Sequence, residues 1–281
     1  MKRKHKATLI ILIFVAVLAF SGILISSARW LRVYRHVVYF DNLPPHLHGL
    51  RILQISDLHA NNPDFISLNI WQYIYNLDFD VAVITGDIIM DGRWGNPCRV
   101  GDLRPHQQYL AALASRVPTF FVEGNHEAEQ MAELRPLLES LGIIVLQNQT
   151  YLLEFGNSTL KIVGTRDFSA MMRDTDTFGD MFALFTNPAD FRLVLTHNPR
   201  IFDKIKDNGQ MLVLAGHTHG GQVRLPFMPT LFAGGQGVFP AYGDGFYCHK
   251  NAVLYVSRGV GTTYFPVRFW NRPEIAILEL R

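Results

Sequence analysis

The stretch "MLVLAGHTHGGQ", residues 211–222, places two histidines and three glycines directly after a short apolar run. His217 and His219 point to the same side of the chain if this backbone is extended, because side chains alternate faces along a strand. The flanking glycines carry no side chain, so another group can approach the backbone closely. The pattern indicates a metal or anion site at the end of a strand, and a loop with two solvated histidines is the alternative.

Four other apolar runs end in polar residues in the same way. They are "LRILQIS" before Asp57-Leu58-His59, "FDVAVIT" before Gly86-Asp87, "VPTFFVE" before Gly124-Asn125-His126-Glu127, and "FRLVLT" before His197-Asn198-Pro199. Short, continuously apolar runs of this kind predict buried strands. Helical spacing of apolar residues over 64–77, 104–117 and 127–142 predicts helices between several of these strands. Strands that alternate with helices predict an α/β fold with a largely parallel sheet covered by helices.

The polar clusters all lie at the carboxyl ends of the predicted strands. In open α/β sheets a ligand binds outside these ends, so we expect clusters that are far apart in sequence to converge in one crevice. The converging oxygen and imidazole donors are Asp57, His59, Asp87, Asn125, His197, His217 and His219. This donor set suits Mn, Fe, Co or Zn, and seven donors suit two ions about 3.5–4 Å apart that share one carboxylate.

The ordered motifs "DLH", "GD", "GNHE", "THNP" and "GHTH", within residues 51–222, resemble those of the calcineurin-like metallophosphoesterases. The resemblance implies an α/β sandwich with helices flanking the sheets and two divalent metal ions, Mn being favoured among Mn, Fe, Zn and Co. It implies that one metal is held by Asp57, His59, Asp87 and His219. It implies that the other is held by Asp87, Asn125, His197 and His217, so that Asp87 bridges the two ions.

The same resemblance implies a chemical role for His126, which would protonate the leaving oxygen. Asp91, in "GDIIMDG", is the candidate to orient His126. The commoner family spacing is one residue shorter, and a turn aspartate before Gly92 is the alternative for Asp91. Arg166 and Arg258 are predicted to contact substrate phosphate, and a surface arginine is the alternative at position 258.

The tail "VSRGVGTTYFPVRFWNRPEIAILEL", residues 256–280, together with "GHTHGGQVRLP", looks like that of a membrane-associated bacterial subgroup of this family. That subgroup includes phosphodiesterases and a UDP-2,3-diacylglucosamine pyrophosphatase. The resemblance therefore implies a hydrolase of phosphoester or pyrophosphate bonds, with a lipid-linked UDP-sugar as the predicted substrate. The alternatives are a phosphodiesterase or phosphatase acting on cell-envelope phosphates outside the membrane, and a non-catalytic membrane-surface scaffold.

The chain has 281 residues, a formal net charge of +2 and two cysteines, Cys98 and Cys248. The near-neutral charge argues against a dedicated nucleic-acid binder, whose surface carries a strong basic excess. The two cysteines form neither a zinc-binding spacing nor a disulfide framework. The expected partners are therefore a phosphorylated small molecule or lipid-linked substrate, and a membrane.

The run "ATLIILIFVAVLAFSGILIS", residues 7–26, contains no charged residue and follows "KRKHK". Its length matches the ~20 residues that a helix needs to cross a bilayer core. We expect a membrane anchor over 1–28, a connector of mixed basic and aromatic residues over 29–48, and a metallophosphoesterase domain over 49–281. A cleaved signal segment, and a connector that enters a first strand at 37–40, are the alternatives.

The predicted location is a bacterial inner membrane with a single N-terminal span. Basic residues near a span favour the cytoplasmic side. Four of them precede the apolar run and three follow it, so the sequence leaves the side of the catalytic domain open.

The segment "LPFMPTLFAGGQGVFPAYGDGFY", residues 225–247, is apolar and rich in glycine and proline. The favoured interpretation is a long loop folded over the sheet edge. A segment that holds acyl chains or rests on a membrane surface is the alternative.

Overall fold

The computed structural model describes residues 30–60, 65–90, 100–155, 158–173, 175–185, 190–225, 227–263 and 267–281, with some positions between residues 5 and 22. The predicted anchor over 1–28 therefore lies largely outside the described residues. Within the part of the chain that is described, no helix has both the length and the apolar character needed to cross a bilayer.

Two six-stranded sheets form the centre of the molecule. The first contains, in spatial order, Arg32–Val38 (β1), Glu274–Leu280 (β14), Arg51–Ile55 (β2), Val81–Thr85 (β3), Thr119–Val122 (β4) and Ile144–Leu146 (β5). Strands β2 to β5 are parallel, whereas β14 runs antiparallel to β2 and parallel to β1.

The second sheet has the same number of strands and a similar plan. It contains, in spatial order, Gly245–His249 (β12), Ala252–Val256 (β13), Met211–Ala215 (β9), Arg192–Leu195 (β8), Ser158–Gly164 (β7) and Gln149–Phe155 (β6). Its four inner strands are parallel, and β12 and β6 form antiparallel edges. A separate two-stranded ribbon pairs Phe232–Ala233 (β10) with Gly237–Val238 (β11).

Helices cover the outer face of each sheet. Those on the first sheet are Phe65–Tyr75 (α1), Arg104–Arg116 (α2) and Met131–Ser140 (α3). Those on the second sheet are Phe168–Arg173 (α4), Thr175–Ala183 (α5) and Phe202–Ile205 (α6). The layers are therefore helix, sheet, sheet and helix, which confirms the predicted α/β class.

Alternation along the strands explains why these runs are continuously apolar. Ile52, Val81 and Val83 pack between the two sheets, against Leu193 and Leu212 of the second sheet. The intervening residues of the first sheet pack against its helices; they include Leu53, Ala82 and Ile84. Both faces of a central strand are buried, so neither face selects polar residues.

Three segments differ from what the sequence suggests. The predicted connector over 29–48 includes β1, which pairs with β14 over seven residue pairs, from Arg32–Glu274 to Val38–Leu280. The helix predicted over 127–142 begins later, at Met131. The segment 225–247 contains the β10–β11 ribbon and the start of β12, so the predicted loop includes regular strands.

Candidate metal centre

The strands bring the predicted metal-binding residues to one edge of the sandwich. Strands β2, β3 and β4 are followed within three residues by Asp57, Asp87 and Asn125, and β8 and β9 are followed by the histidines of the other sheet. Two groups of possible ligands result, each with its ligand atoms within 4.8 Å of one another. The first group is Asp57, His59, Asp87 and His219; the second is Asp87, His197 and His217. Asp87 belongs to both groups, so the protein has a candidate dimetal site.

Nitrogen and oxygen atoms face one another closely within each group. His59 Nε2 lies 3.2 Å from His219 Nε2, and that nitrogen lies 3.3 Å from Asp57 Oδ1. In the second group, His197 Nε2 lies 3.1 Å from Asp87 Oδ2 and 3.2 Å from His217 Nδ1. Neutral imidazole nitrogens that face each other in this way can share at most one proton. A cation would satisfy all of these lone pairs together.

Asn125 supplies an independent test of whether a metal fits here. Its Oδ1 is buried and has no hydrogen-bond partner among the described residues, and Asn125 lines the same crevice as Asp87 and His217. A buried acceptor without a partner is costly, and each such group in a native protein calls for an explanation. A divalent cation with oxygen and imidazole ligands provides the missing partner, so the donor set fits the metals implied by the motifs.

The backbone at these positions is strained. Asp57, His59, Asp87, His217 and His219 have positive φ angles of 52°, 47°, 52°, 74° and 49°. Non-glycine residues seldom adopt this left-handed region, and each such residue costs about 1–3 kcal/mol. The fold therefore holds the strand ends in conformations that turn side chains into the crevice against their local preference.

Buried charges stabilise one another within the second group. Burial alone would raise the pKa of Asp87, but His197 and His126 hold it well below its ordinary value. Burial likewise opposes a proton on His197, but Asp87 raises the pKa of His197 well above its usual range. Without metal, Asp87 and His197 therefore form a carboxylate–imidazolium pair. The other nitrogen of His197, Nδ1, donates to the Thr85 carbonyl at 2.8 Å and so directs Nε2 towards Asp87.

Burial also shifts the pKa values of the remaining titratable ligands. It lowers the pKa of His59 and of His217 to about 3, so both rings are neutral and offer a lone pair at neutral pH. It raises the pKa of Asp57 to about 6, and the nearby Asp87 carboxylate adds to this effect. Metal binding must therefore displace a proton from His197 and, below about pH 6, from Asp57 as well.

Glu127 is a residue of this site that the sequence does not reveal. Its buried carboxylate accepts the backbone N–H groups of Asp87 at 2.8 Å, Ile89 at 3.0 Å and Gly124 at 2.7 Å. Burial, together with the negative charge of Asp87, raises the pKa of Glu127 to about 8. The sequence predicts that a helix begins at Glu127, but Glu127 instead ties the β3 and β4 turns together. Its place as the fourth residue of "GNHE" was the available signal.

Two glycines of the motifs are required by close packing. A Cβ atom at Gly216 would overlap the Ser56 hydroxyl and the Asp57 carboxylate. A Cβ atom at Gly124 would overlap the Asp87 carboxylate. The groups that approach these glycines are thus the metal-binding carboxylates themselves.

His126 lies beside the two ligand groups and lines the crevice. Its backbone N–H donates to Asp87 Oδ1 at 3.1 Å, and its ring Nε2 lies 3.7 Å from Asp87 Oδ2. Its ring is therefore at the crevice, beside the shared carboxylate. Asp91, predicted to orient His126, falls within 91–99 and lies outside the described residues.

The crevice has a volume of about 820 Å³ and carries two arginines among its described lining residues, Arg173 and Arg200. They are not the arginines that the sequence predicts. The Arg200 guanidinium lies over the Phe168 ring at 4.7 Å and donates to the Gly235 carbonyl at 3.3 Å, which holds it at the crevice wall.

Arg166 and Arg258 instead form ion pairs within the protein. Arg166 Nε donates to the buried Glu123 carboxylate at 3.1 Å. Arg258 Nε donates to Asp244 at 2.9 Å and lies 3.7 Å from Glu274. Neither is among the described lining residues of the crevice, and their contact with substrate phosphate stays a prediction.

The tail supports the "GHTH" turn through two buried residues that the sequence did not single out. Asn271 Nδ2 donates to the His219 carbonyl at 2.6 Å. Arg268 Nη2 donates to the Arg258 carbonyl at 2.9 Å and lies 3.4 Å from His219 Nδ1. The carboxyl-terminal segment therefore positions a ligand of the first group.

Comparison with known proteins agrees with this geometry. Residues 50–221 match the family model described as calcineurin-like phosphoesterase. The chain is 32% identical to the phosphodiesterase YaeI of Escherichia coli, over 89% of this chain and 88% of that protein. It is 30% identical to the uncharacterized metallophosphoesterase YkoQ of Bacillus subtilis, over 85% and 86% of the two chains.

A third relative has a more specific name. The chain is 28% identical to the UDP-2,3-diacylglucosamine pyrophosphatase LpxG of Chlamydia trachomatis, over 85% of this chain and 86% of that protein. The family match covers more than half of the chain and includes every predicted ligand. This protein therefore belongs to the calcineurin-like phosphoesterase family.

Proposed function

We propose that this protein hydrolyses a phosphodiester or pyrophosphate bond at two divalent metal ions. The observation that carries the proposal is the sharing of Asp87 by two adjacent groups of buried ligands. Asp57, His59, Asp87 and His219 would hold one ion, and Asp87, Asn125, His197 and His217 the other. When bound, two such cations activate water and neutralise charge that develops on the phosphoryl oxygens.

The residues of the chain supply the remaining parts of the reaction. Thr85 orients His197 through its carbonyl, and Glu127 holds the turns that carry Asp87. His126 donates a proton to the leaving oxygen, which makes poor leaving groups competent. Arg200 and Arg173 offer positive charge to the part of the substrate that lies away from the metals.

Mn²⁺ is the proposed native ion, with Fe, Zn and Co as alternatives. Mixed oxygen and imidazole ligands accept all four, so availability and geometry decide among them. Metal analysis of the full chain purified without added metal, followed by activity after reloading with each ion, would identify the native pair.

The specific substrate that we propose is UDP-2,3-diacylglucosamine, cleaved at its pyrophosphate to the lipid monophosphate and UMP. The Chlamydia trachomatis relative supports this substrate, since its name describes that activity. The crevice also combines arginines with apolar lining residues such as Phe168 and Phe232. Incubation of the purified full chain with this substrate, followed by product analysis, tests the assignment directly.

The Escherichia coli relative supports a second candidate, a phosphodiesterase acting on cell-envelope phosphates. Turnover of bis-p-nitrophenyl phosphate by the Mn²⁺-loaded chain, without release of UMP from the lipid substrate, would favour it. Two tightly bound ions with no turnover of either substrate would favour the non-catalytic scaffold.

Topology separates the two enzymes as well. The proposed location is the bacterial inner membrane, with residues 7–26 as a single span. A UDP-linked lipid is made with cytosolic UDP, so its hydrolysis needs the catalytic domain on the cytoplasmic side. An alkaline phosphatase reporter fused after Arg281 is expected to be inactive for the lipid pyrophosphatase. An active reporter would contradict that substrate and favour the envelope phosphodiesterase.

A further inference from the structure

A group of exposed apolar side chains borders the crevice. We call it the apolar rim; it consists of Leu225, Phe227, Phe232, Val238, Phe239 and Trp270, all of them exposed. Isolated exposed apolar residues are ordinary, but a contiguous set of large ones marks a binding surface.

Backbone contacts join the parts of the rim, because Gly221, four residues before Leu225, packs against the Phe232 carbonyl. Phe232 pairs with Val238 in the β10–β11 ribbon, and Phe239 N–H donates to the Leu231 carbonyl at 2.8 Å. Arg224 N–H donates to the Phe269 carbonyl at 2.9 Å, which joins the loop to the Phe269–Trp270 ring pair. Phe232 also lines the crevice, so the rim and the catalytic space share a wall.

Three aromatic residues of the rim have left-handed backbone. The φ angles are 63° at Phe227, 51° at Phe239 and 54° at Trp270. A bulky residue rarely adopts this conformation, and strain of this kind concentrates at functional sites. Phe227 is fully exposed and Phe239 is 65% exposed, so strain and exposure coincide in both. The conformation presents these rings outwards and is not explained by burial within the described chain.

The chain enters the domain beside this rim. The Arg272 guanidinium lies over the Trp30 ring at 5.4 Å, and Arg32 N–H donates to the Pro273 carbonyl at 2.9 Å. Trp30 is therefore close to Arg272, two residues from Trp270. The uncharged apolar run 7–26 ends four residues before Trp30. Four residues span at most about 15 Å, so only a short length of chain separates the apolar run from this side of the domain.

The surroundings of Trp30 have the composition of a membrane interface. Trp30 is 61% exposed, and Arg32 beside it is exposed as well. Tryptophan is enriched at the headgroup level, and arginines near a bilayer attract anionic lipids. Binding of a protein partner would require neither basic and aromatic residues around Trp30 nor an uncharged apolar run close to it in sequence.

We infer that the apolar rim rests in the headgroup region of a lipid bilayer, with Phe227 and Phe239 inserted and the crevice held open towards the membrane surface. Interfacial segments bury apolar side chains roughly 5–10 Å into the headgroup and acyl boundary. This contact is additional to any anchor over 1–28, and it does not depend on which bond the metal centre hydrolyses.

The test uses the full chain in nanodiscs that contain phosphatidylglycerol and phosphatidylcholine with brominated acyl chains. Bromine quenches tryptophan only at close range. Phe227→Trp and Phe239→Trp each add a reporter at the rim, and Leu152→Trp adds a matched reporter on the far edge strand β6, where Leu152 is 60% exposed. The signal is the difference in fluorescence between each variant and the unchanged chain, and this subtraction removes the contribution of the native tryptophans.

We expect about half of the added fluorescence to be lost at positions 227 and 239, because both rings would reach the acyl boundary, and little at position 152. Equal quenching at all three positions, or none at 227 and 239, would overturn the inference. A stable dimer in nanodisc-free detergent that dissociates on Phe227→Ser would also overturn it, since the rim would then be an interface between copies of the chain.

Discussion

The metal centre and the apolar rim both hold bulky or charged residues in left-handed backbone, but the two regions differ in what surrounds them. Asp57, His59 and Asp87 are buried and aim their side chains at one another, so convergence of ligands explains their strain. Phe227 and Phe239 are exposed, and the described chain does not bury them. Convergence of ligands thus explains the strain at the metal centre, whereas the proposed bilayer contact would explain the outward-facing rings of the rim.

The largest effect is expected from Asp87→Ala, which removes the carboxylate common to both ligand groups. Both ions should be lost and hydrolysis abolished, whereas Asn125→Ala should empty about one of the two positions. Metal content measured by mass spectrometry on the purified chain checks this. Asp207→Ala, which changes an exposed surface carboxylate, is the control and should retain both ions. Two retained ions in the Asp87 variant would refute the shared-carboxylate assignment.

A large effect on rate alone is expected from His126→Ala. The variant should keep its metals but lose about 10²–10⁴-fold in rate, because proton donation to the leaving oxygen is removed. The loss should shrink for nitrophenyl esters, whose leaving groups need no proton. Steady-state rates over a series of leaving groups measure this. An equal loss across the series would point to a role other than proton donation.

A moderate effect on metal affinity is expected from Glu127→Ala, which removes the acceptor of three backbone N–H groups that position the β3 and β4 turns. Loss of such supporting groups typically weakens metal binding by about 10–100-fold. Competition titration with a chelating dye provides the measurement, and Glu133→Ala on the exposed face of α3 is the matched control. Equal affinities in the two variants would remove Glu127 from the site.

The pH dependence should differ between metal binding at the metal centre and bilayer contact at the apolar rim. Burial raises the pKa of Asp57 to about 6 in the metal-free protein, so below that pH a proton must leave before the carboxylate can bind a cation. Affinity should therefore fall as pH falls, by at least about tenfold per unit below pH 6. Calorimetry in buffers of different ionisation enthalpy would show the released protons. The rim contains no ionisable side chain, and nanodisc quenching at position 227 should not follow this profile.

The smallest effect is expected when strain is relieved at the rim. Phe227→Asn and Phe239→Asn replace exposed rings with a residue that tolerates left-handed backbone, so the free energy of unfolding should be unchanged or higher by up to about 1 kcal/mol. Thermal unfolding of the full chain in detergent measures this. Leu152→Asn, at an exposed strand position, is the control and should lower stability because asparagine is disfavoured in strands. A clear loss of stability in the rim variants would show that the rings pack within the protein.

The seven predicted metal-binding residues could be identified because all of them closely follow one of five buried strands. Parallel strands end at a common edge, so the apolar runs determined both the sheet and the place where their polar neighbours would meet. The resemblance to a known family then divided the donors into two groups, and the structure places six of them in groups of that composition. This part of the prediction depends on local pattern and on a general rule of sheet architecture.

The arginines could not be assigned in the same way, because the pairing of a long cationic side chain depends on residues distant in sequence. Arg166 follows a strand just as the ligands do, yet its guanidinium pairs with Glu123, 43 residues earlier, and Arg166 is not among the described lining residues of the crevice. Glu127 was predicted to begin a helix, and in the fold its buried carboxylate accepts three backbone N–H groups. Charge alone does not encode which partner is nearest after folding.

By itself, the sequence determined the class of fold, the strand-end ligands and the apolar character of residues 7–26 and 225–247. Each of these follows from local periodicity or composition, which does not depend on how the rest of the chain folds. Only the tertiary structure decided that β1 closes the first sheet against β14, that Arg200 reaches the crevice, and that Trp30 and Trp270 lie on one side of the domain. These relations join residues far apart along the chain, so they exist only once packing of the two sheets has brought those residues together.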